Sequence, residues 1–294
     1  MVDTPSCRTR ATPRNVSALG GLFPVFRHHF LIGESGWDRF DGIESGGGLP
    51  EGRVMRKLIL VFAILVGFFW RGICETEGAH PMSGEAGAEY LLLSGGVSLS
   101  EWEWSKPQPH DLWWMNFVRA ARIRIQEIRQ TDPGAEITWM VYRGAYERRA
   151  RQEGKALVPL IESVREKYGV KLVYFSRTEE FVQYFNEGRP RDRVKIVDLE
   201  YFGHSNKACW MFDYSNEIDG CSKVWFHETE IAALKRDALA TGAFVKSWGC
   251  YSGESMSGVW KLHFGVPMWG AVGKTQYRTE ELPALAARFG RWKR

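Results

Sequence analysis

The segment FVKSWGCYSGES, from Phe244 to Ser255, places Cys250 where an apolar run gives way to small polar residues and glycines. A free cysteine in such a place is often a small buried hydrophobic residue that only packs. It becomes a nucleophile where the thiol is exposed and a histidine lies beside it to accept its proton. His204 closes an earlier apolar run, RVKIVDLEYFGHSN, and is the histidine that we expect in that role.

Other catalytic patterns are missing from the sequence. It contains no C-x-x-C pair, and His204 and the cysteines lack the spacing of metal ligands, so we predict no metal and no cofactor. The segment GAVGKT is two residues short of a phosphate-binding P-loop, and GCYSG has Tyr251 where a nucleophile elbow has serine. Cys250 and His204 are therefore the strongest candidates for chemistry.

Strand and helix patterns alternate from about residue 88 to residue 280, which predicts an α/β fold. In this class a mostly parallel sheet carries helices on both faces, so that the domain has three layers. Ligands bind outside the carboxyl ends of the strands, and both His204 and Cys250 are expected there. We predict strands over 90–94, 136–142, 171–175, 193–206, 208–215, 243–250 and 266–277, and helices over 110–130, 147–170, 178–188, 228–242 and 254–265.

Two finer expectations concern the ends of helices. Thr178 is typical of a helix N-cap, because its hydroxyl can accept a hydrogen bond from a free backbone N–H. Gly154 and Pro159 are candidates for breaks within the segment 147–170.

The chain before residue 88 differs from the rest. Residues 1–54 have no sustained period and many glycines, and we expect them to be disordered or to be mistranslated sequence upstream of the true start at Met55. Residues 55–74, MRKLILVFAILVGFFWRGIC, have the leading cations and the short apolar run of a secretory signal peptide. Residues 75–87 form a linker to the domain at 88–294.

The signal predicts export. We expect a secreted or periplasmic protein whose contact with a membrane is limited to its N-terminal segment; the alternative is a signal anchor behind a cytoplasmic tail. Outside the cytoplasm disulfides persist, and Cys209 and Cys221 flank a predicted strand and turn. They either pair with each other or are both reduced core residues. If they pair, Cys250 is the odd thiol of the mature chain.

The charge pattern argues against a nucleic-acid partner. The 294 residues include 39 Lys and Arg and 35 Asp and Glu, for a formal net charge of +4. The basic residues mostly alternate with acidic ones, whereas a nucleic-acid-binding protein gathers its lysines and arginines on one element. The 13 tryptophans are expected mainly in the core, the alternative being a platform for a glycan or an aromatic ligand.

The stretches YFGHS and SWGC, each at the end of an apolar strand, make the chain resemble the caspase and gingipain-like cysteine peptidases, as a divergent bacterial member. The order of histidine before cysteine, the helix after the cysteine and the stretch GVPMWGAVGKT are also similar. The resemblance covers about residues 88–280. It implies a caspase-like fold and a peptidase that cleaves protein or peptide substrates through a dyad of His204 and Cys250.

The resemblance also implies roles for the residues around the dyad. The backbone N–H groups of Cys250 and Ser205 would form the oxyanion hole, next to Gly203, although most members have glycine where this chain has Ser205. No arginine for an acidic P1 residue and no acid for a basic one can be picked out, so the P1 preference is left open. The P1 pocket would be lined by the residues before the cysteine, Ser247, Trp248 and Gly249.

Three other functions fit the same predicted fold. The first is a catalytically inactive member that serves as an interaction module, and the second is another thiol hydrolase or transferase. The third is an exported domain that binds glycan or protein through its tryptophans. Reaction of Cys250 with a thiol-directed or acyloxymethyl ketone probe would distinguish an enzyme from a binding module. The substrate, the mode of activation and the oligomeric state do not follow from the sequence.

Overall fold

The computed structural model of the chain describes residues 87–214, 224–278 and 281–294. Residues 1–54, the signal segment 55–74, almost all of the linker 75–87 and Cys221 lie outside the described residues, so what the sequence predicts for them remains a prediction. Within the described ranges, no helix has both the length and the apolar character needed to cross a bilayer.

The domain is built on a five-stranded sheet in which every neighbouring pair of strands runs parallel. The five strands are β1 (Ala88–Ser94), β2 (Glu136–Tyr142), β3 (Lys171–Phe175), β4 (Lys195–Phe202) and β8 (Leu239–Ser247). The order across the sheet is β3-β2-β1-β4-β8, so the chain moves outward on one side of β1 and then crosses to the other side. The predicted α/β fold with a mostly parallel sheet is therefore confirmed.

Helices and short antiparallel strands complete the described part of the chain. The helices are α1 (Ser100–Trp104), α2 (Asn116–Thr131), α3 (Arg143–Glu153), α4 (Leu157–Tyr168), α5 (Thr178–Glu187) and α6 (Met256–Phe264). One small sheet consists of β5 (His204–Ser205), β6 (Cys209–Asp213) and β7 (Val224–His227). Two further pairs are β9 (Gly270–Val272) with β12 (Arg291–Lys293), and β10 (Thr275–Gln276) with β11 (Ala284–Leu285).

The central sheet is covered on both faces, because its strands carry apolar side chains on both sides. On one face Leu92 belongs to a core that includes Ile125 of α2. On the other face its neighbour Leu91 belongs to a second core, with Phe181 of α5 and Trp260 of α6. All five side chains are fully buried, and each contributes about 1.5–3 kcal/mol to folding. This arrangement is the three-layer packing predicted from the sequence.

The structure corrects two expectations about the N-terminal ends of helices. The helix predicted over 110–130 begins only at Asn116, because the preceding loop is held by contacts with distant residues. In that loop Asp111 accepts a hydrogen bond from the backbone N–H of Ser98 at 2.7 Å. Thr178 is not the N-cap of α5: Arg177 is, and the hydroxyl of Thr178 donates to the carbonyl of Trp225 at 2.6 Å.

Residues 228–242 do not form the predicted α-helix. Glu228–Ala233 and Arg236–Ala238 are short 3₁₀ turns, and β8 then begins at Leu239. The strand predicted over 243–250 accordingly ends at Ser247 and leaves Cys250 in the following loop. The strand predicted over 266–277 is divided between β9 and β10.

One of the two predicted breaks in the segment 147–170 is correct. Gly154 has a φ of 63° and ends α3 in the left-handed conformation that glycine adopts readily. Pro159 lies in the first turn of α4, where a missing backbone N–H costs nothing, so it does not interrupt that helix.

A buried charged cluster joins α2 to the ends of β4 and β8. Arg124 is paired with Asp198 at 3.1 Å and with Glu200, and the indole N–H of Trp248 donates to Glu200 at 2.6 Å. Burial and the neighbouring Asp198 raise the pKa of Glu200, while Arg124 opposes that rise. The ammonium of Lys246 lies 3.5 Å from the centre of the Trp248 ring. These contacts fix the end of β8, just before Cys250.

Candidate active site

Three neighbouring strands end at the same edge of the sheet, and a residue able to do chemistry follows each of them. β1 leads into the loop that contains Asp111, β4 is followed by His204, and β8 is followed by Cys250. β1 and β4 are also the strands between which the chain changes direction across the sheet. In open α/β sheets the carboxyl ends at such a switch point form the crevice in which ligands bind.

The ring of His204 is held between aromatic neighbours and a carboxylate. Its Nε2 lies 2.8 Å from Oδ2 of Asp111. The ring centre is 5.0 Å from that of Phe117, 4.2 Å from that of Tyr214 and 5.4 Å from that of His110. Because Asp111 occupies Nε2, Nδ1 is the nitrogen left to exchange a proton with a thiol or a leaving group.

Asp111 is a fully buried carboxylate surrounded by hydrogen-bond donors. Its Oδ2 accepts from the backbone N–H of Ser98 as well as from His204, and its Oδ1 accepts from the side-chain amide of Asn116 at 2.9 Å. A carboxylate in this position orients an imidazole and supplies a counter-charge when the ring is protonated. Asp111 and His204 thus form a hydrogen-bonded pair of acid and imidazole.

A second buried carboxylate, Glu103, supports the loop that carries Asp111. It accepts the backbone N–H groups of His110 at 2.9 Å and of Asp111 at 3.1 Å, and the hydroxyl of Ser98 at 2.6 Å. Burial tends to raise the pKa of Glu103, but hydrogen bonds from Lys106, Ser98 and His110 outweigh it and lower this pKa to about 2. Glu103 is therefore ionised at neutral pH.

Cys250 begins a loop that is fastened to β9 and the residue after it. The N–H of Tyr251 donates to the carbonyl of Gly273 at 2.7 Å, and the N–H of Gly253 donates to that of Ala271 at 2.9 Å. Tyr251 has a φ of 61°, a left-handed conformation that is rare for a bulky residue. Such backbone strain concentrates at functional sites, and here it turns the chain directly after the cysteine.

The sulfur of Cys250 is half-buried and contacts Thr275. The N–H of Thr275 donates to Sγ at 3.4 Å, and Sγ lies 3.8 Å from the Thr275 carbonyl oxygen and 3.6 Å from its hydroxyl. Among the hydrogen bonds of the described residues, none joins this sulfur to His204. Catalytic hydrogen bonds in substrate-free enzymes are often long and tighten only when the substrate binds.

The loops that carry His204 and Cys250 touch each other. The hydroxyl of Ser205 donates to the carbonyl of Cys250 at 2.6 Å. A methyl group added at Gly249 would lie 2.1 Å from the Ser205 hydroxyl oxygen and 3.0 Å from the carbonyl oxygen of Gly203. Only glycine at position 249 therefore permits the two loops to approach this closely.

The two backbone N–H groups expected to form an oxyanion hole take no part in the backbone hydrogen bonds of the described residues. In the ladder between β5 and β6, the N–H of Asn206 donates to the carbonyl of Cys209, which puts the pair of Ser205 and Trp210 at a non-hydrogen-bonded position. The N–H of Ser205 therefore points away from β6. The N–H of Cys250 has no acceptor among the described residues.

Two of the three residues expected to line the P1 pocket face the interior instead. Ser247 is fully buried, and its hydroxyl accepts the indole N–H of Trp210 at 3.1 Å. The side chain of Trp248 is bonded to Glu200 in the buried charged cluster. Gly249 packs against the loop that follows β4. Positions 247 and 248 therefore fix the end of β8 and do not form the pocket.

A cavity of about 620 Å³ opens beside the ring of His204 and the sulfur of Cys250. Its walls consist of residues from 109–117, in the loop before α2 and its first turn, and of residues 275–277; Gly203 also lines it. The cavity lies within the size range of small-ligand sites. The structure thus brings Gly203, His204 and Cys250 to one cavity, as expected, but builds its walls from segments that the sequence did not indicate.

The pKa shifts of two further ionisable side chains of the cavity favour their neutral forms. Burial, followed by repulsion from His204, lowers the pKa of His110. Burial raises the pKa of Tyr277 well above its usual value, and its hydroxyl oxygen accepts the N–H of Gly203 at 3.0 Å.

Cys209 behaves as a packing residue. Its thiol is buried, lies 3.3 Å from the side-chain oxygen of Asn206, and has a pKa raised by burial. The disulfide with Cys221 stays a prediction, since Cys221 is outside the described residues. In the described ranges, no group of three or more His, Cys, Asp or Glu residues is arranged to hold a metal ion.

Asp111 is the main site residue that the sequence analysis missed. It lies in a segment interpreted as the start of an amphipathic helix, where an acidic residue is unremarkable. One signal could have found it: Asp111 is an acid in the connection that follows β1. In a parallel sheet, such a connection starts at the same edge as the residues that follow β4 and β8.

No family model, curated protein or solved structure matches this chain. The resemblance to caspase-fold peptidases therefore remains a prediction.

Proposed function

We propose that this protein is a cysteine peptidase in which Cys250 is the nucleophile and His204 carries protons, with Asp111 positioning His204. One observation carries the proposal. His204 and Cys250 line the same cavity at the carboxyl edge of the sheet, and the fully buried Asp111 holds the His204 ring at 2.8 Å. A histidine that served only for packing would not need a buried carboxylate whose other bonds all come from fixed donors.

Acylation would use each of these groups in turn. Nδ1 of His204 takes the proton of the Cys250 thiol, and the thiolate attacks the scissile carbonyl carbon to form a C–S bond. The carbonyl oxygen becomes an oxyanion that accepts the N–H groups of Cys250 and Ser205, each contributing roughly 3 kcal/mol in the transition state. The C–N bond then breaks as His204 protonates the departing amine, which leaves a thioester on Cys250.

In deacylation, His204 would transfer a proton from water to the cysteine sulfur. Nδ1 of His204 takes a proton from water, and the resulting hydroxide attacks the thioester carbonyl. The C–S bond breaks, the carboxylic acid product leaves, and the proton returns to the cysteine sulfur. Asp111 faces a charged imidazolium at two stages of this cycle. Its buried position keeps that interaction strong, because little water screens it.

We also propose that the peptidase acts outside the cytoplasm, after removal of the segment 55–74, on protein or peptide substrates. This part of the proposal is supported by the cations and apolar run of that segment alone.

The test of catalysis uses the wild-type chain, Cys250→Ala, His204→Ala and Cys209→Ala, each incubated with a mixed peptide library and analysed by mass spectrometry. We expect Cys250→Ala to abolish cleavage and His204→Ala to reduce it by at least 100-fold. Cys209→Ala is the matched control, since it removes a thiol from the interior and should keep most of the activity. Thermal melts should show that the site variants still fold.

The same experiment addresses the inactive interaction module, which the contact of the Cys250 sulfur with Thr275 rather than His204 favours. If the wild-type chain cleaves no peptide and Cys250→Ala only lowers the melting temperature, Cys250 is a packing residue and the peptidase proposal fails. If Cys250→Ala cleaves as fast as wild type, the site is wrongly assigned.

A further inference from the structure

The cavity beside Cys250 is bounded by rings whose positions are fixed. The rings of Phe117 and Tyr277 meet edge to face with centres 4.9 Å apart, and Phe117 also contacts His204. The hydroxyl of Tyr277 is tied to the N–H of Gly203 and to the carbonyl of Trp248, at 3.0 and 3.4 Å. The walls therefore present rigid, largely apolar surfaces.

A third ring also lines the cavity. Trp113 lines the cavity, and the guanidinium of Arg119 lies 3.6 Å from the centre of its ring. Arg119 itself does not line the cavity. A stacked cation of this kind helps to hold the indole in one orientation.

The described lining offers no charged partner for a ligand side chain. Apart from the dyad, its ionisable groups are His110 and Tyr277, and the pKa shifts of both favour the neutral form. The carboxylate of Asp111, which contacts His204, already accepts hydrogen bonds from Ser98, Asn116 and His204. An aspartate, arginine or lysine side chain bound here would lose its water without gaining an ion pair, at a cost of several kcal/mol.

We infer that this cavity receives an uncharged aromatic or large aliphatic side chain, carried by the peptide residue whose carbonyl Cys250 attacks. The inference rests on the proposed peptidase function and adds to it a substrate class. Rings such as phenylalanine gain from edge-to-face contact with Phe117 and Tyr277 in addition to the area that they bury. The cavity has room for a side chain of that size.

The experiment uses three blocked tetrapeptide acyloxymethyl ketones that differ only at P1, which is phenylalanine, aspartate or lysine. With each probe, the Cys250 thiolate displaces the carboxylate leaving group and forms a thioether, so intact-protein mass spectrometry gives a second-order rate constant. We expect the phenylalanine probe to react at least 100-fold faster than either charged probe. Iodoacetamide, which has no P1 group, reports the reactivity of the thiol itself.

A charge placed at the rim provides an independent check. Gln276 lines the cavity and is exposed on β10, so Gln276→Arg adds a cation with little risk to folding. We expect this variant to raise the rate of the aspartate probe relative to the phenylalanine probe by at least 10-fold. Gln183→Arg is the matched control, because it makes the same change at an exposed position of α5, outside this cavity, and should leave the ratio unchanged.

The outcomes separate the inference from the function on which it rests. If the aspartate or lysine probe labels Cys250 as fast as the phenylalanine probe does, the proposed substrate class is wrong while the peptidase remains. The same conclusion follows if Gln276→Arg and Gln183→Arg give equal ratios. If iodoacetamide labels Cys250 but no peptide probe does, the peptidase proposal fails and takes the inference with it.

Discussion

Asp111 affects the proposed reaction only through His204, so its charge can be tested separately from its shape. Asp111→Asn keeps an oxygen for the N–H of Ser98 but removes the negative charge that faces the ring at 2.8 Å. We expect kcat to fall by roughly 100-fold or more with little change in KM, because Asp111 orients the proton carrier and does not line the cavity. Steady-state kinetics on a peptide substrate measure both constants.

The control for this variant is Asp192→Asn, which removes an exposed carboxylate and should leave both constants unchanged. A rise in KM at constant kcat in Asp111→Asn would assign Asp111 to substrate binding instead. Unchanged kinetics would show that the carboxylate is only structural.

At the scale of single residues, the sequence predicts chemistry where the residue type is rare and its neighbours are distinctive. Cys250 stands among glycines and His204 ends an apolar run, so both attract attention. Asp111 is one acid among many, and what sets it apart is its contact with His204, which only the structure shows. For Trp248 the local pattern predicted a role that the side chain does not have. Its place before the cysteine assigned it to the P1 pocket, but its indole N–H donates a hydrogen bond to Glu200. The direction of a side chain depends on packing that a local pattern does not contain.

The loops after β4 and β8 are fitted to each other at Gly249. A side chain at this position would collide with Ser205, and the loops would have to separate. We expect Gly249→Ala to lower kcat/KM by about 10–100-fold, because a shift of this kind misplaces Cys250 relative to His204 and the N–H of Ser205. The cost in stability should be about 1–3 kcal/mol, typical of overpacking.

Gly258 supplies the matched control, since it is exposed on α6 and an added methyl group there meets nothing within 4 Å. Gly258→Ala should leave activity unchanged and stabilise the protein by about 0.5–1 kcal/mol through helix propensity. Kinetics and urea unfolding of the two variants give the comparison. Equal activities in Gly249→Ala and wild type would show that the two loops tolerate separation.

At the scale of elements, two short apolar strands were the easiest to predict. The predicted bounds of β2 and β3 match the observed ones, since each is a short apolar run enclosed by turn residues. The segment 228–242 was wrong because Ile231 and Leu234 are spaced as on a helix, yet both are buried against the sheet by 3₁₀ turns. Apolar residues spaced three or four positions apart fit both an α-helix and short 3₁₀ turns. Spacing alone therefore cannot distinguish the two when the chain must reach the next strand within a few residues.

At the scale of the whole molecule, the site exists only because of the order of the strands. Asp111, His204 and Cys250 lie in three separate connections, and they meet because β1, β4 and β8 are neighbours in the sheet. The sequence predicts the strands and the parallel sheet but not which strand is adjacent to which. That His204 and Cys250 share an edge of the sheet could be predicted from parallel strands alone. That Asp111 contacts His204 depends also on the position of β1 beside β4. This strand order is determined by packing across the entire domain.

Glu103 links this assembly to the stability of the molecule as a whole. Its pKa is lowered to about 2 in the folded protein, against an ordinary value of 4.5 in the unfolded chain. The unfolded chain therefore binds a proton more readily between these values, and the free energy of unfolding falls as the pH drops through them. The stabilisation is fully present above about pH 5. Between pH 7 and pH 3 we expect about 2 kcal/mol of it to be lost.

Urea unfolding at pH 7 and pH 3 of wild type, Glu103→Gln and Glu101→Gln measures this contribution. Glu103→Gln should be less stable than wild type at pH 7 but should lose about 2 kcal/mol less on acidification, because glutamine does not titrate. Glu101→Gln, at an exposed position of the same helix, should follow the wild-type dependence. Because Glu103 accepts the N–H of Asp111, Glu103→Gln should also lower kcat. If the free energy of unfolding of Glu103→Gln fell between pH 7 and pH 3 by as much as that of wild type, Glu103 would not hold this loop.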